Sequence, residues 1–212
     1  MSTTGETFGI LCGYLKKHPT RYAIFLGAGG PKSAGLPDGD QLKKAIFNEY
    51  MSLLTGISID ELTCEMLLEK LCIACGDSAV SDSLQKFLDI EVASPSGYQS
   101  LVRLVRFGYF GIIITVNIDE LLETSFIGKI RIRTITTEED QVPLDNLEAK
   151  PTLMKLHGTI SKPKTILATI QNVQELVGWK KEIMEYIFIS TRFKILLVFH
   201  LQTLKRDITV GF

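Results

Sequence analysis

Tyr22-Ala23-Ile24-Phe25-Leu26-Gly27-Ala28-Gly29-Gly30 opens on five apolar residues and closes on glycines. With no polar alternation, the apolar run predicts a strand covered on both faces, the kind that fills the middle of a parallel sheet. The glycines predict a strand-to-helix turn, where a missing Cβ lets an anionic group approach the backbone. Gly27-x-Gly29 followed by Gly35 is not the spacing of the dehydrogenase fingerprint, and no Gly-Lys-Ser/Thr closes a P-loop.

The same grammar recurs downstream. Gly111-Ile112-Ile113-Ile114-Thr115-Val116 predicts a second buried strand rich in β-branched residues. Leu153-Met154-Lys155-Leu156 predicts a short one, and Lys194 to Phe199 a last apolar one. Lys129 to Ile135 alternates apolar with polar residues, so it predicts a strand towards a sheet edge, and Thr165 to Ala168 could extend the sheet. The runs at Tyr22, Gly111 and Lys194 are expected to supply the middle.

Between these runs the apolar spacing turns helical. Helices are expected over Phe8 to Lys17, over Gln41 to Leu54 with Asp38 or Asp40 as cap, over Tyr98 to Val105 ended by Gly108, and over Gln174 to Ile187. Asp60 to Ile90 predicts two or more helices broken near Gly76-Asp77-Ser78. Glu138 to Lys150, with Pro143, predicts a loop. Strands alternating with helices imply an α/β fold, a doubly wound parallel sheet. One domain over 1–212 is expected, with a helical insertion at about 56–96 too short to build its own core.

Composition narrows the function classes. Apolar residues make up 45% and charged residues 22%, ordinary values for a folded domain. Twenty-three basic against twenty-four acidic residues, with no basic run, disfavour nucleic acid as a direct ligand. The N-terminal MSTTGETFGI lacks the pattern of a signal peptide, and the apolar stretch near Phe107 to Val116 is too short to span a bilayer, so no membrane association and a cytosolic location are expected. Of Cys12, Cys64, Cys72 and Cys75, only Cys72-x-x-Cys75 has metal-like spacing, and no second pair follows it. Packing inside a helix explains that pair better than zinc.

Three strand ends carry chemistry-bearing residues. After Gly27-Ala28-Gly29 comes Asn117-Ile118-Asp119, directly off the second strand, and then His157-Gly158. A carboxamide can orient water or a ribose hydroxyl, a carboxylate can accept from an amide N–H, and an imidazole can take a proton near neutral pH. Asn-Asp after a strand also makes ordinary turns, and a histidine there can simply bind backbone groups. His18 and His200 are better explained as surface or packing residues.

Taken in order, these elements resemble the sirtuin superfamily, specifically its bacterial and archaeal sirtuin-like NAD hydrolase branch. Gly27-Ala28-Gly29 with Gly35-Leu36-Pro37-Asp38, Thr115-x-Asn117-Ile118-Asp119, and Leu156-His157-Gly158 carry the resemblance, over roughly Arg21 to Ala168. The resemblance implies a Rossmann-like sheet that binds NAD and cleaves its nicotinamide–ribose bond, in antiphage defence. It implies Asn117 and His157 as catalytic residues, the first placing the ribose or water and the second acting as base. Gly27, Ala28 and Gly29 would cradle the diphosphate. Gly35, Asp38, Thr115 and Ile118 would complete the nucleotide seat, and Asp119 would hold the nicotinamide amide.

The family's deacylases carry a four-cysteine zinc module after His-Gly, whereas no cysteine follows Cys75 here, and Val116 stands where those enzymes have glutamine. Both points favour water as the nucleophile and no zinc, and rank lysine deacylation last. Pro31 in place of the loop serine and Gly39 in place of an aromatic support an alternative, a module that binds NAD or ADP-ribose without cleaving it. The family's last strand runs into a Gly-aromatic-Ser loop, where this chain has Phe199-His200-Leu201-Gln202 and stops at Phe212. The resemblance therefore also implies further sequence or a partner, either a second copy or a separate sensor or effector protein.

Overall fold

Five parallel strands stand side by side in the order β3-β4-β2-β1-β5 in this computed structural model. They are β1 (Tyr22–Leu26), β2 (Ile112–Thr115), β3 (Arg133–Ile135), β4 (Thr152–Lys155) and β5 (Lys194–Val198). The structure describes residues 22–27, 29–147, 149–169, 178–189 and 194–198, together with positions 13, 16 and 17. The expected first helix, except those three positions, lies outside them, as do Ala28, Cys12, His18 and His200.

Parity along the strands shows why the runs lack alternation. Tyr22, Ile24 and Leu26 of β1, Ile113 of β2 and Leu153 of β4 enter one core with α5 (Ser96–Arg106) and α6 (Leu121–Phe126). Ala23, Ile112, Ile114 and Met154 enter the other, against Ile183, Met184 and Ile187 of α7 (Gly178–Ile189). A strand covered on both faces has no position where a polar side chain meets water. The α/β doubly wound reading therefore holds.

A third cluster sits beside the sheet, built from α2 (Gly39–Glu49), α3 (Cys64–Cys75) and α4 (Asp77–Leu88). The helical segment packs into this cluster by sharing it with its neighbours. Leu67, Leu68, Leu71, Val80 and Leu84 close around Leu42 and Ile46 of α2 and around Ile160, which follows β4. The break at Gly76 is the expected one, with φ of 85°.

Several elements differ from expectation for local reasons. Only Arg133–Ile135 of the alternating segment pairs, as an edge strand against β4. Segment 165–168 does not extend the sheet, because the Leu167 N–H is spent on the His157 carbonyl at 3.0 Å. Among the described strands β5 pairs with β1 alone, so the Lys194 run lies at an edge and β4 takes the inner place assigned to it. Helix α2 stops at Glu49, and Met51–Leu53 continues as a 3-10 turn. The expected 174–187 helix is described from Gly178, and its earlier residues lie outside the described set.

Register positions the site. Leu26 stands opposite Thr115, and Thr115 opposite Lys155, so the last residues of β1, β2 and β4 form one row. The glycine turn, the Asn-Asp loop and the His-Gly turn consequently leave the same carboxyl edge, where open parallel sheets bind ligands.

Candidate active site at the carboxyl edge

Thr115 begins the construction. Its buried hydroxyl donates to the Leu26 carbonyl at 3.0 Å and accepts from the Asn117 N–H at 3.1 Å. It therefore stitches β1 to the loop beyond β2. Asn117 then donates through Nδ2 to the Gly27 carbonyl at 2.9 Å and to the Tyr98 hydroxyl at 3.4 Å. Those bonds leave Oδ1 as the atom that the carboxamide can offer a ligand.

Tyr98, from α5, reaches Asn117 over Gly30 of the short α1 (Gly29–Ser33), where any Cβ would sit on the phenol ring. Burial pushes the Tyr98 hydroxyl above the usual phenol range. Asp119 is buried and accepts from the Leu121 N–H at 3.0 Å, which starts α6. Burial, the largest influence, holds its carboxyl above the ordinary aspartate value against the pull of that amide and of Lys155.

The His-Gly turn is fixed from the other side. Gly158 has φ of 87°, and a Cβ there would collide with the Thr165 carbonyl. The Thr159 N–H donates to Thr165 Oγ1 at 3.1 Å. Gly158→Ala should accordingly cost about 2–4 kcal/mol, adding the left-handed backbone penalty to the collision, and urea unfolding of the two proteins checks it.

His157 is half-buried, and burial first, then the Lys180 charge, holds its imidazole below the usual histidine value, with Glu65 opposing. Lys180 of α7 is buried and donates to the Leu156 carbonyl at 2.7 Å, and burial brings its ammonium down to about 8.

These groups meet in one cavity of about 190 Å³, with Asn117, Ile118, Asp119 and His157 on its sheet side. Pro31, Pro37 and Gly39 face them from the glycine-loop side, and Glu65, Leu68 and Leu84 from the helical cluster. The volume is below the roughly 300–1,000 Å³ of sites that enclose a whole drug-sized ligand, and it suits one end of a dinucleotide. The cavity thus brings together an apolar wall, a carboxamide oxygen, a carboxylate and an imidazole.

The other expected residues fall around this cavity. Gly27 touches it through Asn117, and Gly29 starts α1. Thr115 lies beneath the floor, with its hydroxyl already engaged. Gly35 and Asp38 do not line it. Asp38 instead caps α2, accepting from the Gln41 N–H at 2.9 Å and pairing with Lys32 at 2.6 Å. That lysine bond, ahead of the Gln41 amide, draws its carboxyl below the usual range.

Sequence reasoning missed Tyr98, Glu65, Lys180 and Lys155. Only Lys155 gave a signal, as the one charged residue in an otherwise apolar strand directly before His157. It is 0% exposed and donates to Glu123 Oε1 at 2.6 Å, Thr159 Oγ1 at 3.0 Å and the Asp119 carbonyl at 2.5 Å. Among the described residues, no three or more His, Cys, Asp or Glu side chains converge as a metal site, and no helix is long and apolar enough to cross a membrane. Cys72 donates its thiol to Asp77 at 2.9 Å, and Cys75 is exposed.

Among the described residues, a parallel sheet with helices on both faces and a cavity at its carboxyl edge defines a Rossmann-like α/β fold. Residues 111–198 match the family model of the SIR2-like domain, which supports a sirtuin-like domain over that stretch. The matched stretch holds both Asn117 and His157, and the glycine loop precedes it. SIR2-like domains use NAD, and members of the family are NAD-dependent enzymes. No curated protein matches the chain.

Proposed function

We propose that this protein hydrolyses NAD at the nicotinamide–ribose bond, releasing nicotinamide and ADP-ribose. One observation carries the reading: Asn117 and His157, forty residues apart in sequence, face the same small cavity at the sheet's carboxyl edge. Breaking the C–N bond releases neutral nicotinamide and leaves positive charge on the ribose, and water supplies the oxygen that replaces it. Asn117 Oδ1 orients the ribose or the water, and the fixed turn holds His157 to take the water's proton. Asp119 and Glu65 place negative potential beside the developing cation. A cell that loses NAD this way cannot support a phage, so we read the role as defence, with a second copy or a partner protein supplying control.

Purified protein incubated with NAD and followed by chromatography for free nicotinamide tests the proposal. Release by the wild type, lost in Asn117→Ala and His157→Ala, is expected. A second reading, an NAD- or ADP-ribose-binding module, is favoured by Pro31, which lines the cavity without an N–H to offer. Tight NAD binding with no nicotinamide would select it.

The pH dependence has a definite sign. The folded protein disfavours the imidazolium of His157, so the base form persists to lower pH than in a free histidine. The acid limb of kcat/KM should therefore have its midpoint below about 6.5. An initial-rate profile with NAD as substrate checks it, and a midpoint above that value contradicts the role given to His157.

A further inference from the structure

We propose that Lys155 is a positioning residue for this site, its buried ammonium setting the separation between the Asn117-Ile118-Asp119 loop and the His157-Gly158-Thr159 turn. Lys155 ends β4, in the row that continues through Thr115 to Leu26. Its Nζ donates to the carbonyls of Ile118 and Asp119 at 3.5 and 2.5 Å on one segment, and to Thr159 Oγ1 at 3.0 Å on the other. Glu123 of α6 supplies the counter-charge at 2.6 Å.

With one N–H on the Glu123 carboxylate, the buried ammonium still needs acceptors for its other two, and any nearby oxygens would satisfy them. Here it takes them from two specific segments, one carrying Asn117, Ile118 and Asp119 and the other His157, all of which line the cavity. An ammonium presents three protons on one centre, so it fixes its acceptors relative to one another as well as to itself. Thr159 passes the constraint on, donating from Oγ1 to Glu120 Oε1 at 3.0 Å, and Ser161 donates to the same oxygen. The two segments also meet directly, through the Ile160 N–H on the Ile118 carbonyl at 2.8 Å. That amide is a reporter of their docking. The consequence for turnover rests on the NAD-hydrolase reading, whereas the consequence for docking does not.

The full chain tests this with Lys155→Met/Glu123→Met, which replaces both charges by apolar side chains of similar length, a change folds often tolerate. Amide hydrogen exchange at Ile160 should speed by about tenfold or more, with Ile113 in β2 unchanged as the sign of an intact sheet. Nicotinamide release should lose about tenfold or more in kcat with KM nearly constant, because misplacement affects the reacting geometry more than the gross affinity.

Thr159→Val gives a milder version of the experiment should the double variant fail to fold. It should move both readouts the same way, and Thr159→Ser should restore them. Ile160 exchange unchanged in a folded double variant, or in Thr159→Val, overturns the inference. Wild-type protein that releases no nicotinamide overturns the NAD-hydrolase reading instead, and Ile160 exchange then decides the role of Lys155 alone.

Discussion

Replacing His157 with alanine should cut nicotinamide release from NAD by about 10²–10⁴-fold, the range that a positioned general base contributes. On the proposed mechanism the effect should fall on kcat, because the lost group would act on the attacking water and supply little of the binding surface. Asn117→Ala should reach a similar loss by a different route. Its Nδ2 bonds to the Gly27 carbonyl and the Tyr98 hydroxyl hold the loop, and its Oδ1 is the atom left to meet a ligand, so alanine would remove both orientation and contact. Asn117→Asp separates the two, since it keeps an acceptor oxygen but places a carboxylate against the Gly27 carbonyl. It should be as inactive as alanine if loop geometry dominates. Initial rates over a range of NAD concentrations for the three variants, with unfolding curves to show an intact fold, check these outcomes.

Lys155→Met alone should destabilise the protein by about 3–5 kcal/mol, the usual cost of stranding one member of a buried ion pair. Glu123 would keep its carboxylate in the interior, where Oε2 already has no hydrogen-bond partner among the described residues. The double variant with Glu123→Met should recover most of that loss, because no unpaired charge remains.

Burial already raises the Glu123 carboxyl above its ordinary value, with Lys155 opposing, so removing the lysine raises it further. A folded carboxyl that binds its proton more tightly than the unfolded one stabilises the fold at low pH. That contribution is lost as pH rises through the folded value. The deficit of Lys155→Met should therefore be smaller at about pH 5 than at about pH 8. Urea unfolding at both pH values measures it, and a deficit independent of pH would mean that Glu123 is not the group left stranded.

Patterns that depend on near neighbours in sequence were legible directly. Unbroken apolar runs announced β1 and β2, helical spacing announced α2 to α5, and Gly76 marked the break between α3 and α4 at a positive φ. Asn117 and His157 stood out because each follows an apolar strand, and a parallel sheet gathers all such ends at one edge. The capping duty of Asp38 was equally local, and the structure gives its carboxylate to Gln41 and Lys32 rather than to the cavity.

Strand order, by contrast, is a matter of which edges pair. Nothing in Lys194-Ile195-Leu196-Leu197-Val198 distinguishes an edge strand from a central one, yet among the described strands it pairs on one side only. Tyr98 and Lys155 show the same limit at the level of single residues. One lies on an apolar helical stripe and the other in a buried strand, and each gains its meaning from a partner more than fifteen residues away. Sequence by itself thus determined the parallel α/β class and the placing of Asn117 and His157 at strand ends, since both follow from local periodicity and chain direction. Tertiary structure alone decided which buried polar groups hold those side chains in place, because a buried hydrogen bond is defined by its acceptor as much as by its donor, and here the two come from distant parts of the chain.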